Sequence, residues 1–219
     1  MRFVHFKAPF GAFRPFKNVE LATTAEFVTY SAAYGLLLGL AGQDREKKNE
    51  FMGARIALGC NHLPRVGRTF QQLIQGKREL TDTGGEFNLR PFWRELVCNI
   101  EGWIGLDHPL LEELVEKGVN EAATLDYWGV PFMGDNNFFV EKIDVDERPQ
   151  PCRWFCPFTG QRLPLGDRLY YLSVWTDYQQ TSLSKSQLFA LSPTRDSLKA
   201  DDDCWISIEP NAVTQESEL

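Results

Sequence analysis

The sequence predicts an α+β fold, a ferredoxin-like sheet of the split βαβ kind with an inserted projection and additional C-terminal strands. Two observations predict it. Segments of period 2 and period 3.6 succeed one another as strand, helix, strand, insertion, strand, helix, strand. Between the second and third strands, residues 61–90 hold too few apolar positions for a core element of that length, which predicts an ordered projection.

Phe3 to Ala8 is β-rich and short, and Pro9-Phe10-Gly11-Ala12 is a turn signal that ends it. The basic loop Phe13-Arg14-Pro15-Phe16-Lys17-Asn18 follows, and Thr23-Thr24-Ala25-Glu26 has the composition of a capped helical turn. Thr29 or Ser31 opens a longer helix to about Ala41, apolar on almost every side and stopped by Gly42. Gly35 and Gly39 lie four apart on one stripe, which predicts close packing against a sheet.

Arg55 to Cys60 alternates as a second strand after the polar stretch Gln43–Glu50, and Arg94 to Ile100 as a third, with Leu96, Cys98 and Ile100 on one side. Asp107 is placed to cap the next helix, with Pro109 in its first turn, a Leu110-Leu111-Leu114-Val115 stripe and Gly118 at its end. The glycine-bearing loop Tyr127–Asn137 leads to a strand from about Phe138 to Val145. Further strands are expected over Arg168–Trp175 and Cys204–Ile208, and the acidic residues 211–219 read as a frayed tail. Residues 1–145 thus form the ferredoxin-like domain with its insertion at about 61–90, and residues 146–210 a β extension packed on it.

The chain has 219 residues, 43% hydrophobic and 24% charged, an ordinary globular composition. Its longest apolar run, Tyr30–Ala41, falls short of the roughly 20 residues that cross a bilayer, and Lys7 interrupts what an export signal would need to keep apolar. A cytoplasmic protein is expected. The five cysteines, odd in number and scattered, are expected to be reduced thiols. Cys152 and Cys156 have no second pair to complete a zinc site, so no metal or cofactor is expected.

The net charge of −7 is unevenly spread. Residues 1–80 carry 12 Lys/Arg against 6 Asp/Glu, and residues 81–219 carry 11 against 24. The local field decides whether phosphates are attracted, so the first part suits a polyanion and the second faces protein partners or solvent.

There is no Gly-x-Ser-x-Gly elbow, His-Glu-x-x-His helix or Walker loop. A metal-independent ribonuclease would need a base near the 2′-hydroxyl, and His62 beside Arg65 and Arg68 is its one plausible source. RNA binding has broader support. Cations and aromatics alternate over Phe13-Arg14-Pro15-Phe16-Lys17 and again over Arg65, Arg68, Phe70, Lys77 and Arg78, so phosphates can be clamped while bases stack. The helix start at Thr29 offers amides to a phosphate, and Gly129 and Gly134 let backbone approach RNA closely.

These residues resemble the Cas-five family of CRISPR-associated RAMP proteins. The opening strand with Gly11-Ala12-Phe13-Arg14, then Thr23-Thr24 and the Thr29–Leu37 helix start, is similar to that family's N-terminal signature. Arg94-Glu95-Leu96-Val97-Cys98 looks like its Arg-Glu-Leu strand, Tyr127-Trp128-Gly129 and Gly134-Asp135-Asn136 resemble its glycine-bearing loop, and residues 61–90 fall where it inserts a thumb. Val28-Thr29-Tyr30 replaces the proline pair often found before the helix, and the style is most like the DevS lineage of type I-B or related systems.

The resemblance implies an RRM/RAMP-type fold and a non-catalytic subunit that holds the crRNA 5′ handle in a type I Cascade complex for RNA-guided DNA recognition. Implied partners are crRNA, the first Cas-seven backbone subunit, the Cas-eight large subunit, target DNA through the complex and, in some lineages, transposition proteins, with no membrane. The RNA-binding residues are then expected among Gly11, Phe13, Arg14, Lys17, Thr29, Tyr30, Lys47, Lys48, His62, Arg65, Arg68, Phe70, Lys77, Arg78, Gly129, Gly134 and Asn136. In the type I-C branch the family cleaves precursor crRNA with a Tyr and a Lys-His pair. No adjacent Lys-His occurs here, which leaves a rearranged site at Tyr30, Lys47 and His62 as the enzymatic alternative.

Overall fold

The computed structural model describes residues 1–14, 23–76, 87–125, 129–160, 163, 167–177 and 179–211. Among the described residues nine strands form one sheet: β1 (Arg2–Gly11), β2 (Arg55–Cys60), β3 (Arg65–Gly76), β4 (Phe87–Asp107), β5 (Lys142–Asp146), β6 (Arg153–Pro157), β7 (Tyr170–Trp175), β8 (Lys185–Leu191) and β9 (Ile206–Ser207). The main path runs β5-β1-β4-β2-β6-β8-β7 with every pairing antiparallel, while β3 pairs with β4 and β9 with β2. Helix α1 (Tyr30–Leu40) connects β1 to β2, and α2 (Pro109–Asn120) follows β4. No helix among the described residues is long and apolar enough to cross a membrane.

Helix α1 starts where Thr29 turns extended and its hydroxyl accepts from the Ala32 amide at 3.2 Å. It ends on Gly42 at φ 69°, where the Gln43 amide reaches back to the Leu38 carbonyl. The helix is apolar nearly all round because it is packed from two sides. Val4, Phe6, Ile56, Leu58 and Ile104 of the central strands share a core with it, and so do Phe155, Leu172, Val174 and Phe189 of the C-terminal strands. Tyr30 stacks on Phe189 with ring centroids 4.8 Å apart, and Tyr34 lies 6.3 Å from Trp175. Gly35 and Gly39 do not pack against the sheet as their stripe predicts: a methyl group added at either would meet nothing within 4 Å. The bulky residues between them supply the packing surface.

The cap of α2 is His108, whose Nδ1 accepts from the Leu111 amide at 3.2 Å; Asp107 instead ends β4 and pairs with Arg55 at 2.9 Å. Gly118 lies inside the helix, because a Cβ there would sit 1.7 Å from the Leu40 carbonyl oxygen. The chain thins at this point so that α1 and α2 can touch.

Strand β4 is much longer than its alternating segment suggests. Its second half lies between β1 and β2, with Gly105 opposite both Phe3 and Ala57. β3 pairs with its first half from Arg65↔Cys98 to Gly76↔Phe87, and beyond the last β1 partner at Gly11↔Val97 it does so alone, from Gly67↔Leu96 outward. The projection expected over 61–90 is therefore built around this two-stranded ribbon, with residues 77–86 outside the described residues. Asn99 has φ 57°, and there the side alternation of β4 breaks: Val97 and Ile100, three apart, are both fully buried, where strict alternation puts them on opposite sides.

The sheet face away from α1 and α2 is not left open. A second apolar cluster of Phe3, Ala57, Trp103, Trp154, Leu198 and Trp205 covers part of it. Cys156 and Cys204 of that cluster form a disulfide, so the expectation of five free thiols is corrected to three, Cys60, Cys98 and Cys152. The two half-cystines are 48 residues apart in sequence and meet only because the C-terminal segment folds back over the sheet. The strand expected at Phe138–Val145 is confined to Lys142–Asp146, and β6 and β8 have no counterpart in the expected elements.

Candidate nucleic-acid interface

The base of the β3–β4 ribbon gathers four separate segments. Ala12 donates its amide to the Met133 carbonyl at 3.1 Å, which ties the end of β1 to the loop before β5. Phe13 donates its amide to Thr24 Oγ1 at 2.8 Å and accepts from the Ala25 amide at 2.7 Å. Thr24 in turn donates its amide to Glu95 Oε2 at 3.4 Å, and Arg68 on β3 reaches Glu95 Oε1 through Nε at 3.2 Å and Nη2 at 3.0 Å. Thr23-Thr24-Ala25-Glu26 is thus no helical turn; it is an irregular segment whose polar groups latch onto residue 13 and onto β4.

The glycine-bearing loop is fixed from the other side. Gly134 has φ 75° and lies so close to Ala12 that a Cβ would approach its carbonyl oxygen to 2.2 Å. Arg94 is 7% exposed, bonds Asp135 and lies 5.1 Å over the Phe138 ring. Burial pushes the Asp135 carboxyl up, yet the bond and charge of Arg94 and the amide of Asn137 outweigh it and hold the group below the ordinary carboxylate range. Asn136, at the tip of this turn, is exposed, and Gly129 is half-buried.

The ribbon presents aromatics to solvent. Phe70 and Trp93 are opposite each other in register, 52% and 61% exposed, with ring centroids 5.4 Å apart edge to face. Arg68 and Glu95 are the opposed pair two residues closer to the base, and Arg68 is 71% exposed. Arg65 and Arg14 are also exposed and make no ion pair with another described residue. Cations and flat apolar rings in this proximity can hold phosphates and stack unpaired bases.

Other residues expected at an RNA site are placed elsewhere. Phe13 is 2% exposed and belongs to the core, because the latch to Thr24 turns it inward. Thr29 is buried and spends its hydroxyl on its own helix, so the α1 N-terminus is not open to a phosphate. Tyr30 is fully buried, donates its hydroxyl to the Phe155 carbonyl at 2.9 Å, and burial raises its pKa well above the ordinary value. It therefore cannot form a solvent-reached trio with Lys47 and His62. Lys48 donates to the Thr176 carbonyl at 3.2 Å, pairs with Asp177 and lies 4.5 Å over Trp175, while Lys47 is exposed. Gly11 is a packing residue whose Cβ would meet Ile100 at 2.6 Å. His62 is exposed at the break between β2 and β3 and shares a hydrogen bond with the Asn99 amide at 3.3 Å. Lys17, Lys77 and Arg78 lie outside the described residues, as do Phe16, Tyr127 and Trp128.

The uncovered part of the other sheet face is not a basic platform. His5 lies there between Glu101 at 3.2 Å and Asp144 at 3.4 Å, with its ring tilted against Trp103 at a centroid distance of 4.8 Å. Two features of the ribbon base escape sequence reading, Trp93 and Glu95. Trp93 has no special spacing, and only the register that brings it opposite Phe70 gives it a role.

No protein-family model matches the chain, and no curated protein is matched by its sequence. Among solved structures it is similar to a chain of a CRISPR RNA-guided surveillance complex, with a TM-score of 0.57 at 9% identity over 95% of this chain and 90% of that one. A second, described as the crystal structure of a Cas protein, aligns at a TM-score of 0.47 and 10% identity, covering 94% of each chain. At these identities the first likeness is one of fold.

Proposed function

We propose that this chain is the non-catalytic crRNA-binding subunit of a type I CRISPR Cascade complex, a Cas-five protein of DevS-like style that caps the crRNA 5′ handle. The observation that carries the reading is the ribbon, which presents Arg68 and the Phe70–Trp93 pair to solvent and is tied at its base to residues 12–13 and to the Gly134–Asn136 turn, in a fold similar to that of a surveillance-complex chain. The order β5-β1-β4-β2, with one helix after β1 and another after β4, supports a ferredoxin-like core of RRM/RAMP type, with the ribbon as its thumb. In this reading the acidic C-terminal part faces the Cas-seven and Cas-eight subunits or solvent, and the complex reaches target DNA through base pairing by the crRNA.

Absence of cleavage belongs to the proposal. Tyr30 is sealed in the core, and His62 shares its bond with a neutral amide. The test is incubation of the purified protein, without metal, with labelled repeat RNA and mature crRNA, read by mobility shift and on a denaturing gel. Retention of intact RNA, weakened by Arg14→Ala, by Arg68→Ala and by salt, supports the reading. A discrete cut lost in His62→Ala would replace it with a processing ribonuclease.

A further inference from the structure

Glu95 is an acidic residue set among the donors that an RNA site needs. Its carboxylate takes two bonds from the exposed Arg68 guanidinium and a third from the Thr24 amide. That amide has a fixed direction, because Thr24 Oγ1 accepts from Phe13 and donates to the Ala25 carbonyl at 3.0 Å while the Ala25 amide bonds the Phe13 carbonyl. A guanidinium fork and an oriented backbone N–H are the donors that recognise a phosphate, which a carboxylate imitates with two oxygens in place of four. The fit is incomplete: the Thr24 contact, at 3.4 Å, is longer than an ordinary amide hydrogen bond.

We propose that Glu95 marks a phosphate subsite, filled by the protein's own carboxylate in the free chain and by a backbone phosphate of the RNA in the complex. The idea rests on the RNA-binding reading above. Arg68 is exposed, so its pair with Glu95 holds weakly and can be exchanged. Phosphate then bonds Arg68 and the Thr24 amide, and Glu95 swings toward solvent. Arg14, one residue beyond the Phe13 latch, is exposed and supplies a further cation for the RNA backbone. Phe70 and Trp93, two residues outward on the same side of the ribbon, receive the adjoining base. The carboxylate thus screens the site from stray anions and lets only a ligand with further contacts displace it.

The experiment is a double-mutant cycle on the full chain with a labelled single-stranded RNA. Glu95→Gln should tighten binding by about fivefold, the order that release of one exposed ion pair allows, and the gain should vanish when Arg68→Ala is added. An equal gain in the Arg68→Ala background would mean bulk charge alone, and weaker binding by Glu95→Gln would make Glu95 a positioning partner of Arg68; either result overturns the proposal. A second readout needs no RNA: pyrophosphate is titrated into the Glu95→Gln chain while the Thr24 amide resonance is followed. A saturable shift of that amide supports the subsite even if no RNA is retained, in which case the RNA reading alone falls. No shift overturns the subsite even if RNA is bound.

Discussion

Arg94 of β4 and Asp135 of the loop before β5 form a partly buried ion pair 41 residues apart in sequence, and the same guanidinium covers the Phe138 ring. The pair joins the ribbon root to the glycine-bearing loop. Breaking such a pair leaves Asp135 without its partner, at a cost between the roughly 1 kcal/mol of an exposed pair and the roughly 3 kcal/mol of a fully buried one. Arg94→Ala should lower the thermal midpoint accordingly, and a wild-type midpoint would show that the pair is not holding the loop.

The same pair sets a pH dependence. The folded Asp135 has a pKa below its unfolded value of about 3.9, so its stabilisation is fully present above that value and is lost as pH falls through the folded pKa. The difference in unfolding free energy between wild type and Asp135→Asn should therefore be constant from pH 5 to pH 7 and shrink below about pH 4. Denaturant melts across that range check the sign; a difference that grew on acidification would contradict it.

Gly134 at φ 75° faces the Ala12 carbonyl with no room for a methyl group. Gly134→Ala should cost about 2 kcal/mol or more through backbone strain and collision. Far-ultraviolet dichroism of the folded variant should change little, since the damage is confined to the loop, while RNA affinity falls with loss of the Asn136 turn.

Cys60 and Cys152 are buried, and burial pushes each thiol up to about 12, whereas Cys98 is half-buried at the ribbon base. In native protein at pH 8, alkylation followed by mass spectrometry should label Cys98 first and leave the other two untouched until unfolding. Equal labelling rates for the three would contradict the packing described.

Much of the core was legible in sequence because it rests on local signals. The β2 strand Arg55–Cys60 and the α1 helix from its Thr29 cap to its Gly42 stop follow from alternation, capping and a glycine that adopts positive φ. The ribbon was legible only as a region poor in apolar residues, since β3 pairs with β4 alone and neither the central core cluster nor the second one includes a described residue of β3 to impose a pattern on it. β6 escaped for the opposite reason: Trp154, Phe155 and Cys156 are all buried in succession, so no alternation marks the strand. At the site, Arg14 and Arg68 were readable as exposed cations, but Phe13 and Tyr30 were not readable as core residues. Their burial depends on Thr24 and on Phe189, which sequence spacing does not bring near.

Phe70 and Trp93 touch each other and solvent but little of the core, so Phe70→Ala and Trp93→Ala should leave the thermal midpoint nearly unchanged. Each should weaken single-stranded RNA binding by about 1–3 kcal/mol, the worth of a base stacked on an aromatic ring. A matched loss of stability would assign the rings a structural role instead.

The most direct test of the account is photocrosslinking of mature crRNA carrying 4-thiouridine in its 5′ handle, with the attachment sites read by mass spectrometry. RNA held at the ribbon gives adducts on Phe70, Trp93 and the residues around Arg14 and Asn136, lost at high salt. Adducts confined to the opposite sheet face, around His5, Glu101 and Asp144, would contradict it.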